Sequence, residues 1–420
     1  MKTVGPFNRL RLSCAAALVL AGLSTPASAY TAATLYSFCD DGSCTGVQPI
    51  NVIPTPSGTL YGVTEGGGDK NFGTVFALVP NAKRTQWTYK QAWSFCSQSD
   101  CADGGAPDSG LIADSEGNLY GTTSQGGGHG HGTVFRLTPK KKKWKLTVLY
   151  DFCSLTGCAD GSPNIRLTYA GAAAGAPFDG KSPLYAGANY PASSHGALFS
   201  LTPGAKKDKW GVALLYTFCQ KKNCPDGDQV AALTADASGN LFGTTSSGGA
   251  KNMGTVFEYS GGVLTTLHSF CSSCTNDGSF PQGQIAADTA GNLYGLTSGG
   301  GENGHGIIYR LAPNGTKSTL SILYSFCPNG DCDTDGSNPI TGVVMDAGGN
   351  LFGTEESDGT TKGGTVFEWN GGFQVLHAFC GCGGEGDSPI SLSVDGAGNL
   401  YGTDLFGGNT DNGTVFELAK

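Results

Sequence analysis

Residues 114–139 read DSEGNLYGTTSQGGGHGHGTVFRLTP, and both halves of this stretch recur along the chain. The first half returns as DASGNLFGT from Asp236, DTAGNLYGL from Asp288, DAGGNLFGT from Asp346 and DGAGNLYGT from Asp395, with weaker copies PSGTLYG from Pro56 and KSPLYAG from Lys181. The second half, GTVF, returns at Gly73, Gly254, Gly364 and Gly413, with GALF at Gly196 and GIIY at Gly306. A third marker, Phe followed by Cys, stands at Phe38, Phe95, Phe152, Phe218, Phe270, Phe326 and Phe379. Three markers with the same count define one unit repeated seven times, with a period of roughly 56 residues, too long for a solenoid and suited to a propeller blade.

Each unit reads as four strands, lettered A to D. Strand A ends at the Asp of DxxG, strand B is NLYGTTS, strand C is GTVFRLTP, and strand D ends in the Phe-Cys pair, as in LYDFC. Alternating runs of Val, Leu, Tyr, Phe and Thr punctuated by Gly, Asn, Asp and Pro are hairpin chemistry. The expected fold is all-β: a seven-bladed β-propeller of four-stranded blades, forming a single domain over residues 30–420. TLYSF near residue 34 is a D strand and the terminal GTVFELAK is a C strand. Residues 33–38 are therefore expected as the outer strand of the blade formed by 389–420, closing the ring and removing both exposed sheet edges. The Asp of DxxG reads as a turn former and its Gly as a residue taking positive φ.

The DxxGNLYGT, Gly-Gly and GTVF pattern resembles the repeat of the bacterial choice-of-anchor tandem repeat GloVer-containing proteins over essentially all of residues 30–420. That resemblance implies export and a repeat architecture, and it supplies no catalytic residue. The anchor segment that the family name suggests is not visible here.

Residues 1–29 place Lys2, Arg9 and Arg11 ahead of an apolar run and end in Ala27, Ser28 and Ala29, the pattern of a cleaved signal peptide. No later stretch is apolar enough over about 18 residues to span a membrane. The expected location is the periplasm or the cell exterior. Of 25 Lys and Arg, removal of those three leaves 22 against 34 Asp and Glu, a formal charge of -12. Such an acidic balance argues against nucleic acid as a partner.

Fourteen cysteines remain after Cys14, two per unit: Cys39 and Cys44, Cys96 and Cys101, Cys153 and Cys158, Cys219 and Cys224, Cys271 and Cys274, Cys327 and Cys332, Cys380 and Cys382. Each pair lies where strand D of one unit hands over to strand A of the next. In an exported chain this reads as a disulfide framework. Zinc needs four converging ligands, whereas these pairs are spread round a ring.

No catalytic signature is present: GxSxG, HExxH and GxxxxGK[ST] are all missing. No cofactor is expected. His131, His195 and His305 share one repeat position and offer a metal set only if loops of three blades converge, the basis of an alternative reading as a metal-assisted lyase or hydrolase. The leading expectation is a noncatalytic binding or structural propeller. Turns at 83–90, 140–145 and 206–209 hold eleven of the 22 basic residues, among them Lys140, Lys141, Lys142, Lys143, Lys206 and Lys207. Trp87, Trp144 and Trp210 sit beside them as candidate stacking surfaces. The sector reads either as hairpin tips that keep the sheet edges soluble or as a docking surface, for which the partner is an anionic glycan or envelope polymer.

Overall fold

The computed structural model describes residues 30–420 apart from 41, 43, 142, 159, 164, 190–194, 206, 207, 209, 272–276, 315 and 316. The expected signal peptide, residues 1–29, lies outside the described residues. The strands pair into seven antiparallel sheets. Blade one consists of Val47–Pro54, Leu60–Gly66, Thr74–Pro80 and Trp87–Ser94, strands A to D in that order. Blade two spans 112–151, blade four 228–269, blade five 278–325 and blade six 343–378. Blade three has a split strand A, Ser162–Pro163 and Thr168–Tyr169, and the long insertion that follows forms a 3-10 turn at Ala172–Ala174. Strand A is also short in blade two, Ile112–Ala113, and in blade six, Val343–Met345.

Blade seven contains Gly386–Val394, Leu400–Gly407 and Thr414–Ala419, and its fourth strand is Thr31–Ser37 from the other end of the chain. The pairing runs antiparallel from Thr31 opposite Ala419 to Ser37 opposite Thr414, with a bulge between Thr34 and Tyr36. Covalently continuous blades carry the same bulge: it falls between Val75 and Phe76 in blade one and between Val134 and Phe135 in blade two. The Phe38 amide donates to the Gly413 carbonyl at 3.1 Å, as Phe95 does to Gly73 and Phe152 to Gly132, each at 3.0 Å. The clasp therefore reproduces the register of every other C–D pair, and the chain closes as a ring.

The core lies between blades. Phe95 at the end of strand D in blade one packs with Ile53, Val63 and Val75 of its own blade and with Leu119, Phe135 and Leu137 of the next. Strand C and the GTVF Phe determine the glycine of LYGT. At Gly402 a Cβ would lie 2.2 Å from the Phe416 ring, so only a bare backbone lets the ring lie flat across strand B. Antiparallel order sends the D-to-A cysteine loops and the B-to-C glycine loops to one face, and the DxxG and C-to-D turns to the other.

Candidate functional site

On the cysteine-loop face, a buried or half-buried acid organises six of the D-to-A connections. Asp103 accepts hydrogen bonds from the Trp93 indole at 3.0 Å, the Ser97 hydroxyl at 2.7 Å, and the Ser97 and Gln98 amides at 3.1 Å. Asp160 binds the Tyr150 hydroxyl at 2.7 Å and the Ser154 and Leu155 amides; Asp226 binds Tyr216 at 2.7 Å; Asp335 binds Tyr324 and the Cys327 amide, both at 2.8 Å. Where the donor is imidazole the partner is still an acid: His268 lies 3.1 Å from Asp277 and His377 lies 2.6 Å from Glu385. Burial, reinforced by the adjacent carboxylate, pushes the Tyr150, Tyr216 and Tyr324 hydroxyls above the usual tyrosine range. The acids of these loops are thus engaged within the loops themselves. The bonded pairs are Cys39 with Cys44, Cys96 with Cys101, Cys153 with Cys158, Cys219 with Cys224, Cys327 with Cys332 and Cys380 with Cys382. Cys271 is disulfide-bonded as well, and Cys274 lies outside the described residues.

The repeat position of His131, His195 and His305 joins neighbouring blades through its carbonyl. The Ala106 amide donates to the Phe72 carbonyl and the Phe280 amide to the Met253 carbonyl, each at 2.8 Å, and the Ser162 hydroxyl donates to the His131 carbonyl at 3.0 Å. The three imidazoles do not meet. Each sits against the cysteine pair that follows its own blade: His131 with Cys153 and Cys158, His305 with Cys327 and Cys332, and His195 with Cys219, Cys224 and Asp228. Within each group the ligand atoms lie within 4.8 Å of one another. His195 Nδ1 is 3.1 Å from Asp228 Oδ1. Asp228 was not singled out by the sequence reading.

The opposite face carries the basic turns. In blade two a tight hairpin pairs Lys140 directly with Lys143, and Lys140, Lys141, Lys143 and Lys145 are all exposed. Lys83 and Lys90 are exposed in blade one. None of these six forms an ion pair among the described residues. Lys142, Lys206 and Lys207 lie outside the described residues. The tryptophans are half-buried and packed between blades, unlike the expected free stacking surfaces; at Trp144 strand alternation turns the indole inward while Lys143 and Lys145 point out. Trp144 packs edge-on against Tyr61 of blade one at 5.7 Å, and Trp210 lies 6.4 Å from Tyr120 of blade two. Arg84 stands 5.1 Å over Trp87 and bonds Tyr401 at 2.6 Å and Glu417 at 3.1 Å, fastening blade one to blade seven. The DxxG aspartates on this face are consumed by their turns: Asp114 accepts from the Glu116 and Asn118 amides at 2.9 Å and from the Asn118 side chain at 2.7 Å.

Further titratable groups escaped the sequence reading. Asp108, entering blade two, is pushed up to about 7, chiefly by burial and further by the Glu65 charge. Arg166 donates to the Leu111 carbonyl at 2.9 Å and reaches Gln284 of blade five at 3.4 Å, tying blades two, three and five on the inner side of the ring. At the end of strand B, Thr64 and Thr74 pair hydroxyls at 2.8 Å, as do Thr245 and Thr255; Glu355 and Asp404 take the first of these places in blades six and seven. Both are fully buried, and burial raises their carboxyls well above the ordinary range.

The Gloeobacter/Verrucomicrobia repeat matches the sequence three times, over residues 23–176, 168–333 and 275–420. The chain belongs to the Gloeobacter/Verrucomicrobia repeat family. The overlapping matches cover every blade of the ring. No curated protein matches the chain. Among solved structures, the Dos1 propeller is similar at 9% identity and TM-score 0.49, covering 89% of this chain and 78% of that one. A structural-genomics protein provisionally named a gluconolactonase is similar at 14% identity and TM-score 0.42, with coverages of 93% and 92%. The propeller domain of the Trilobed protease from Pyrococcus furiosus gives 7% identity and TM-score 0.44, with coverages of 89% and 94%. Likenesses this distant concern fold and say nothing of chemistry.

Proposed function

We propose that this member of the repeat family is an exported, noncatalytic binding propeller that docks on an anionic glycan or envelope polymer through the C-to-D turns of its first blades. The observation that carries the reading is the cluster of exposed lysines in blades one and two that form no ion pair among the described residues, in a chain whose formal net charge is -9. Lys140 directly opposite Lys143 is a like-charge cross-strand pair, which disfavours the hairpin by a few tenths of a kcal/mol. An anionic partner relieves that repulsion. The disulfide-bonded pairs support an oxidising compartment. Among the described residues no helix is long and apolar enough to cross a membrane. Since the tryptophans pack between blades, recognition rests on charge rather than stacking. The test is retention on an immobilised anionic polysaccharide at low salt. Replacing Lys140, Lys141, Lys142 and Lys143 by Gln should lower retention without lowering thermal stability. Retention equal to that of the unaltered protein overturns the reading.

A further inference from the structure

The junction of blades three and four holds more than a loop staple. His195 stands just before strand C of blade three, Cys219 and Cys224 bracket the following D-to-A loop, and Asp228 opens strand A of blade four. Their four ligand atoms lie within 4.8 Å of one another. Zinc bonds of about 2.3 Å to sulfur and about 2.0 Å to nitrogen or oxygen set tetrahedral ligands roughly 3.3–3.8 Å apart, so shifts of about 1 Å bring this quartet onto one ion. His195 is 35% exposed and Asp228 17%, so the place is sheltered yet open to an entering ion. The other two His and Cys groups contain three ligands. Where blade four has Asp228, those junctions have Ser162 and Ser337, which offer no carboxylate. Thiolate, imidazole and carboxylate together suit zinc better than calcium or magnesium, which take oxygen ligands.

We propose that this junction is a redox-gated zinc site: His195, Cys219, Cys224 and Asp228 bind Zn²⁺ when the bond between the two cysteines is reduced, and release it when that bond forms. Reduction by an external dithiol or phosphine delivers two electrons and, with two protons from solvent or dithiol, converts the S–S bond to two thiols; the dithiol closes to its own disulfide, or the phosphine takes up oxygen from water. Zinc then displaces the two thiol protons to solvent. Oxidation by a disulfide acceptor withdraws two electrons, re-forms the S–S bond and leaves the ion without its sulfur ligands. This site is on the face opposite the lysine turns, and its presence does not depend on what they bind.

The experiment titrates Zn²⁺, against a competing chelator, into the full mature protein after phosphine reduction, and repeats the titration with Co²⁺ to read thiolate-to-metal charge transfer. One tight zinc per chain is expected in the reduced protein and none in the oxidised protein. His195→Ala should weaken that zinc by more than the roughly 10–100-fold that even an outer partner of a zinc ligand is worth, and Asp228→Asn should weaken it in the same direction. His131→Ala, at the three-ligand group of blade two, should leave it unchanged. Absence of a tight zinc in the folded, reduced protein overturns the proposal, as does a tight zinc indifferent to His195→Ala. Loss of the folded circular-dichroism signal on reduction also overturns it, since the ligands meet only on a closed ring.

Discussion

Phe38→Ala probes the seam of the ring. The side chain is 1% exposed, and its ring centroid lies 5.4 Å from Phe76 of blade one, 5.0 Å from Tyr36 and 6.0 Å from Tyr89. Truncating a buried phenylalanine removes its transfer free energy and leaves a cavity, typically about 3–5 kcal/mol. Phe95 holds the same repeat position where the chain is covalently continuous; it is fully buried and lies 5.2 Å from Phe135. If the N-terminal strand closes the ring as tightly as a continuous strand, Phe38→Ala and Phe95→Ala should lower stability equally, within about 1 kcal/mol. The assay is urea unfolding followed by circular dichroism, with midpoints compared at unchanged slope. A cost below about 1 kcal/mol for Phe38→Ala, the size of an ordinary surface change, beside a large cost for Phe95→Ala would refute the clasp. Deleting residues 30–38 should further expose the edge Thr414–Ala419 and cause self-association, seen by light scattering.

The carboxyl of Asp108 has a folded pKa of about 7 against an ordinary 3.8, so the folded state holds its proton more tightly than the unfolded state. Its contribution to stability is full below about pH 4 and is lost as pH rises through 7, up to about 4 kcal/mol at about 1.4 kcal/mol per unit and less for partial exposure; Asp108→Asn should flatten that part of the stability–pH curve, and an unchanged curve refutes the assignment. Asp103→Ala should strand the Trp93 indole and two amides in the loop and lower the urea midpoint by an amount equivalent to about 3 kcal/mol, whereas a loss under about 1 kcal/mol means that the loop holds without its acid.

The ring was legible because its determinants are local and repeated. Strand C of every unit carries GTVF or a near variant, strand B of all but the third unit sets a Gly beneath its aromatic ring, and the orphan D strand at residues 31–37 matches the missing partner of blade seven. The loop locks were less visible, although a signal exists. Trp93, Tyr150, Tyr216, His268, Tyr324 and His377 each stand two residues before the Phe-Cys pair and donate to an acid 8 to 11 residues later. At His268 and His377 imidazole breaks the aromatic pattern while keeping the donor, which hides the shared role in the sequence. Trp144 was misplaced for a related reason: four lysines precede it, but strand period two puts Lys143 and Lys145 outward and Trp144 with Leu146 and Val148 inward. The quartet at blade three could not be read from spacing, since His195 and Asp228 are 33 residues apart and meet only when two blades pack.

The most direct test of the docking account is the salt dependence of binding to a soluble anionic polysaccharide. Neutralising polymer charges releases counterions, so the logarithm of the affinity falls linearly with the logarithm of salt concentration, with a slope that counts the contacts made. The account predicts a steep slope for the unaltered protein, and one shallower by roughly the number of contacts removed when Lys140, Lys141, Lys142 and Lys143 become Gln. Equal slopes for the two proteins would contradict it.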